Sequence, residues 1–278
     1  MATDPIPAIT LNQGGVIPQL GFGVFKVDPA VTQQTVEAAL AAGYRHIDTA
    51  TGYNNESEVG AALKAAGLPR EQVWVTTKLR NDHHAAGDVR GAMERSLMML
   101  GLDYVDLYLI HWPMPKLGLY VATWQQLEQF KAEGLARNVG VANFQVAHLE
   151  ALAERSGLVP ALDQVELHPL FQQRELRSYL DRHGIAVEAW GPLGQGRFAL
   201  DGLPAIADAA RAHGKTPAQV ILRWHLQSGF IVIPKAVDPA HMADNIAIFD
   251  FTLTPAEMAA IDALDTGQRL SADPDEVN

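Results

Sequence analysis

Apolar positions in this chain follow two rhythms. Short, nearly unbroken runs, such as Val73-Trp74-Val75 and Leu107-Tyr108-Leu109-Ile110, alternate with longer stretches where apolar residues recur every three or four positions. The first rhythm predicts buried strands, and the second predicts helices packed on one face. Strand-like runs fall near residues 20–22, 45–48, 73–77, 105–110, 137–141, 162–167, 185–190 and 230–233. Helical patterns fall near 31–42, 56–66, 87–100, 120–133, 146–156 and 173–183. Strands separated by helices mean βαβ units and a parallel sheet. Eight such units are the count of an α/β (β/α)8 TIM barrel.

Other signals sit at the edges of this pattern. Apolar pairs flanking Asn12-Gln13-Gly14-Gly15 predict an N-terminal β-hairpin. Two helices, near 203–213 and 217–227, precede the last strand, and two more, near 239–246 and 255–264, follow it. The barrel therefore carries about two extra helices. Thr216-Pro217 and Thr254-Pro255 each offer an N-cap followed by proline, and Glu257 is placed for a capping box. No linker interrupts the pattern, so residues 1–278 are expected to form a single domain. The polar tail after Asp265 is long enough to fold over a barrel mouth.

Composition narrows the functional classes. A net charge of −11 argues against nucleic acid or an anionic membrane as partner, so an anionic ligand would need a local basic pocket. The chain has no cysteine, which removes thiolate catalysis and cysteine metal sites. Neither a secretory signal nor an apolar run near the roughly 18 residues of a membrane span is evident. A soluble cytoplasmic protein is the default expectation.

Several apparent motifs carry little. Gly191-Pro192-Leu193-Gly194-Gln195-Gly196 lies too late, with its glycines in the wrong order, for a Rossmann fingerprint. Gly214-Lys215-Thr216 reads as a helix-to-helix corner rather than a phosphate loop. His83-His84 reads as a solvated loop pair, and no metal is expected. Asp48, Tyr53, Lys78 and His111 are different. Asp48, Lys78 and His111 each end a predicted strand, and Tyr53 follows Asp48 by five positions. Taken singly, such residues are more often a helix cap, a surface amine or a satisfied core imidazole. Together, at the carboxyl ends of successive barrel strands, they stand where active sites of this fold lie. A phenol titrates near 10, too high for an efficient acid at neutral pH, and a neighbouring ammonium lowers that value. Asp48 can hold Lys78, and His111 can orient a carbonyl oxygen.

Gly43-Tyr44-Arg45-His46-Ile47-Asp48-Thr49-Ala50, followed by Tyr53 and Glu56, resembles the signature of the aldo-keto reductases. Val141-Ala142-Asn143-Phe144 and Ile233-Pro234-Lys235-Ala236 resemble two further segments of that family. The likeness spans residues 6–278. The stretch from Trp190 to Gly196 and the terminal Ser271 to Val277 are similar to bacterial 2,5-diketo-D-gluconic acid reductases. The resemblance implies reduction of aldehyde, ketone or keto-sugar carbonyls with NADPH, Tyr53 giving the proton, by a monomer. It implies that Asn143 and Gln164 hold the nicotinamide amide and that Trp190 stacks on its ring. Gly191, Leu193, Gln195 and Gly196 would lie along the pyrophosphate. Lys235 would meet the 2′-phosphate, with Asp244 and Asn245 near adenine. Phe25, Trp112 and Trp190 would line the substrate pocket.

Two departures stand out against that family. Arg80 occupies a substrate-pocket position where tryptophan is common. At the cofactor end, Ala236 replaces a hydroxyl residue and His241 replaces an arginine, which predicts relaxed preference and some use of NADH. Two other functions compete. A Schiff-base aldolase would use Lys78, but Asp48 would keep that amine protonated. A regulatory barrel could hold a nicotinamide nucleotide without turnover, which the intact tetrad opposes.

Overall fold

All six residues of Trp74–Leu79 and all six of Val105–Ile110 are buried. Strands buried on both faces need cover on both sides, as in a parallel sheet wrapped by helices. The computed structural model describes residues 6–85 and 87–277 and has that architecture. An antiparallel hairpin of β1 (Ala8–Thr10) and β2 (Val16–Pro18) leads into eight parallel strands. These are β3 (Phe22–Gly23), β4 (His46–Asp48), β5 (Trp74–Leu79), β6 (Val105–Ile110), β7 (Ala136–Ala142), β8 (Leu162–Glu166), β9 (Ala186–Trp190) and β10 (Ile231–Val232). They pair in sequence order from β3 to β10. The sheet curls until its edges meet. Val232 N–H donates to the Gln19 carbonyl at 2.9 Å, and Gly21 N–H donates to the Val232 carbonyl at 2.9 Å. The result is a TIM-barrel-like fold.

Helices connect the strands: α1 (Pro29–Ala41), α2 (Glu56–Ala66), α3 (Asn81–Ala85), α4 (Val89–Leu100), α5 (Tyr120–Glu133), α6 (Val146–Ala153) and α7 (Arg174–Arg182). Next come α8 (Pro204–His213) and α9 (Pro217–Gln227) before β10, then α10 (Pro239–Ile246) and α11 (Pro255–Asp262) after it. The two Thr-Pro starts form capping boxes, Thr216 with Gln219 and Thr254 with Glu257. Each such cap stabilises its helix by about 1 kcal/mol. None of the helices among the described residues is long and apolar enough to cross a membrane.

Alternation along each strand sorts side chains into two cores. Tyr108 and Ile110 face the helices, in a cluster with Trp124, Phe130 and Trp224. Leu107, Leu109, Leu162 and Ile231 fill the lumen in a separate cluster. Leu11 and Ile17 of the hairpin region join that inner cluster, so the hairpin plugs the amino end of the barrel. Gln13 fixes it there, donating to the Val139 carbonyl and accepting from Val139 N–H.

The segment near 81–100 departs from the sequence expectation. It contains two helices, with Gly87 in the left-handed region (φ 65°) between them. His83-His84 is not a solvated loop pair. Both lie on α3, and His84 is buried, its Nδ1 3.5 Å from Thr123 Oγ1. Burial, then His83, pushes the His84 imidazole down to about 4.

Candidate active site

Period-two alternation brings the chemistry to one mouth. Inward positions on β4 are His46 and Asp48, on β5 Thr76 and Lys78, and on β8 and β9 Gln164 and Glu188. These side chains form the polar part of the lumen, its upper layer at Asp48 and Lys78, with Leu107 and Leu109 of β6 beside Thr76 and Lys78.

Lys78 is the centre of that layer. Its Nζ donates to Asp48 Oδ1 at 2.6 Å, to the Thr49 carbonyl at 2.9 Å and to Tyr53 Oη at 3.3 Å. The second Asp48 oxygen accepts from Gln164 Nε2 at 2.8 Å. Burial is the largest single effect on the Lys78 ammonium and disfavours it, but Asp48, Tyr53 and Glu188 together outweigh burial and the net shift is upward. Lys78 is therefore a cation, not the neutral amine that imine chemistry requires. Burial lifts the Asp48 carboxyl, against the pull of Lys78 and Gln164.

Tyr53 lies in the turn Thr51–Tyr53 directly after β4. Its ring packs edge-on against His111 with centroids 5.7 Å apart, and Phe25 tilts against its other side at 5.0 Å. Lys78 pulls the Tyr53 phenol down, as the sequence suggested, but burial is the larger effect and the net shift is upward. Burial, then Lys78, pushes His111 down to about 3, so its ring is neutral near pH 7.

Asn143 follows β7 with φ 62°, in a region that asparagine tolerates better than most residues. Its amide donates to the His111 carbonyl at 2.9 Å and accepts from Trp190 Nε1 at 2.9 Å. These bonds fix the wall beside His111.

A cavity of about 690 Å³ opens over these groups. Tyr53, Asp48 and His111 form its base, and Phe25, Trp112, Trp190, Asn143 and Gln164 its walls. Gly191, Leu193, Gln195 and Gly196 also line it. Lys26, Arg197 and Lys235 line it, and Asp48 is the one acid among the described lining residues. In a chain of net charge −11, this is the local basic pocket an anionic ligand requires.

Some expected residues stand elsewhere. Arg80 does not line the cavity: its Nε pairs with Asp82 Oδ1 at 3.2 Å and half of its side chain is exposed. Ala236, His241, Asp244 and Asn245 are also off the lining. Ala236 is buried, His241 and Asp244 are exposed on α10, and Asn245 is buried there. Conversely, sequence reading missed Lys26, Arg197, Ser271 and Ala272 on the lining. Lys26 and Arg197 adjoin Phe25 and Gly196, and adjacency was the available signal. The tail reaches the mouth because Glu166 accepts from Leu270 N–H at 2.6 Å and Ser271 N–H at 3.0 Å. Among the described residues, no group of three His, Asp or Glu side chains is placed to hold a metal.

Comparison with known proteins agrees with this geometry. The sequence model described as Aldo/keto reductase family matches residues 19–266. An aldo-keto reductase of Mycolicibacterium smegmatis is 48% identical over 268 residues, covering 96% of this chain and 97% of the relative. Methylglyoxal reductase DkgA of Yersinia pestis is 48% identical over 269 residues, covering 97% and 96%. The crystal structure of a Bombyx mori aldo-keto reductase in complex with NADP superimposes with a TM-score of 0.90 at 36% identity, covering 97% of this chain and 96% of that one. The chain belongs to the aldo/keto reductase family.

Proposed function

We propose that this protein reduces the carbonyls of small aldehydes and ketones to alcohols with NADPH, and that Tyr53 gives the proton. The observation that carries the reading is the bonded series Asp48–Lys78–Tyr53 at 2.6 and 3.3 Å, opening on a cation-lined cavity. Bound NADPH supplies the hydride. Tyr53 donates its phenolic proton to the developing alkoxide, and the Lys78 ammonium stabilises the phenolate left behind. Asp48 keeps Lys78 charged and aimed. Neutral His111 offers a ring N–H to the carbonyl oxygen and orients it. The cavity is of the size that holds a small ligand.

The donor set fits the cofactor. Asn143, Gln164 and Trp190 line the cavity, and Lys26, Arg197 and Lys235 offer charge to phosphates. The similarity to methylglyoxal reductases supports small dicarbonyls as first substrates to try, with keto-sugars next. NADPH consumption with methylglyoxal tests the reading, and no turnover with any reactive aldehyde would refute it.

Cofactor choice is the finer part of this proposal. Lys235 lines the cavity, whereas His241 is exposed beyond it. Removing one charged hydrogen bond costs roughly 1.5–3 kcal/mol, or about 10- to 150-fold. Lys235→Met is expected to lower kcat/KM with NADPH by about that factor and to spare NADH. An equal loss with both cofactors would place the 2′-phosphate away from Lys235.

A further inference from the structure

A second pair of ionisable groups lies one layer below Asp48 and Lys78. Glu188 of β9 and His46 of β4 are both fully buried, and His46 Nε2 is 3.6 Å from Glu188 Oε1. Neither Glu188 oxygen has a hydrogen-bond partner, nor does His46 Nδ1. Space for the imidazole depends on Gly21, where a Cβ would fall 2.5 Å from Nδ1. Trp74 Nε1 donates to Thr76 Oγ1 at 3.1 Å, and Thr76 Oγ1 lies 3.3 Å from His46 Nε2. Burial pushes the His46 imidazole down to about 3, so near pH 7 it is neutral and gives Glu188 no compensating cation.

We propose that Glu188 is a positioning residue: protonated, it leaves Asp48 the sole anion beside Lys78, and its ionisation weakens Tyr53 as a proton donor. An unpaired carboxylate in such a site is costly, which favours the acid form. Burial first, then Asp48, pushes Glu188 up to about 8, while Lys78 and the Gln164 amide oppose them. The charged and titratable groups facing it are Asp48 and His46 from β4, Lys78 from β5, and Tyr53 above. β8 presents the neutral Gln164 and β10 the apolar Ile231 beside it. On ionisation, the proton leaves to solvent and a second negative charge draws on Lys78. That charge also raises the Tyr53 phenol.

The proposal rests on the reductase reading, so its test has one arm that needs no turnover. The first arm compares the fraction of neutral-pH kcat that survives at about pH 9 in wild type and in Glu188→Gln, which cannot ionise. The variant is expected to retain a several-fold larger fraction, and equal fractions would overturn the proposal. The second arm is carbon NMR of glutamate-labelled protein in a Glu56→Gln background, because burial also lifts Glu56. One glutamate still titrating above neutral pH supports the proposal, and full ionisation of all glutamates by about pH 7 overturns it. This arm reads Glu188 even if Glu188→Gln fails to fold or the protein reduces no carbonyl.

Discussion

Lys78 Nζ lies 2.6 Å from Asp48 Oδ1, with both side chains buried at the barrel mouth. Removing one member of a buried pair strands the other charge, at a cost of about 3–5 kcal/mol. Asp48→Ala and Lys78→Met are each expected to destabilise by that order. The double variant should lose less than the sum by about 1 kcal/mol or more, because it leaves neither charge of the pair behind. Urea unfolding of the four proteins measures this coupling. Strict additivity would mean that the two charges do not depend on each other. Reductase activity should fall in all three variants.

Glu166 ties the C-terminal tail to the mouth. Burial raises its carboxyl, but His168, the Leu270 amide and Ser271 outweigh burial, and the net shift is downward. A carboxyl lowered in the folded state favours the tied form above its free value of 4.5, and that advantage is lost as the pH falls through the lower folded value. The Leu270 and Ser271 amides should therefore be protected from hydrogen exchange at neutral pH and exposed in acid. Glu166→Gln should expose them at neutral pH as well and raise KM for the carbonyl substrate. Unchanged protection in the variant would show that the tail is held by other contacts.

Arg80 pairs with Asp82 and does not line the cavity. An arginine in a pocket wall would favour carboxylated substrates through a bidentate bond. Exposed pairs of this kind contribute about 0–1 kcal/mol, so Arg80→Trp should be nearly neutral in stability. It should also leave the ratio of rates on a keto-acid and its ester unchanged. A ratio that shifts tenfold, or about 1.4 kcal/mol, would put Arg80 in contact with substrate.

What could be read from sequence followed from period-two alternation. Once the runs ending at Asp48 and Lys78 are strands, both residues face the lumen at its carboxyl end, and His111 and Gln164 join them. Glu188 was open to the same logic, as an acid in the middle of Ala186–Trp190, but it resembled no catalytic motif. α3 escaped notice because five residues show no full amphipathic repeat. His84 looked solvated because its cover, Thr123, comes from α5, 39 positions away in the chain. The direction of Arg80 was open from sequence because it depends on pairing with Asp82 in the turn after β5. The upward net shift of Tyr53 was also hidden, since composition reports the nearby ammonium but not the depth of burial.

The central claim is that Tyr53 is the proton donor. Its hydroxyl is the group held 3.3 Å from Lys78, while the cations Lys26, Arg197 and Lys235 of the cavity lining are separate side chains. Tyr53→Phe removes that hydroxyl alone. The direct measurement is kcat for aldehyde reduction beside the Kd for NADPH, read from the quenching of protein fluorescence. The account predicts a fall in kcat of roughly 10²–10⁴-fold with Kd changed less than about threefold. A Tyr53→Phe protein that keeps about half of the wild-type kcat would contradict it.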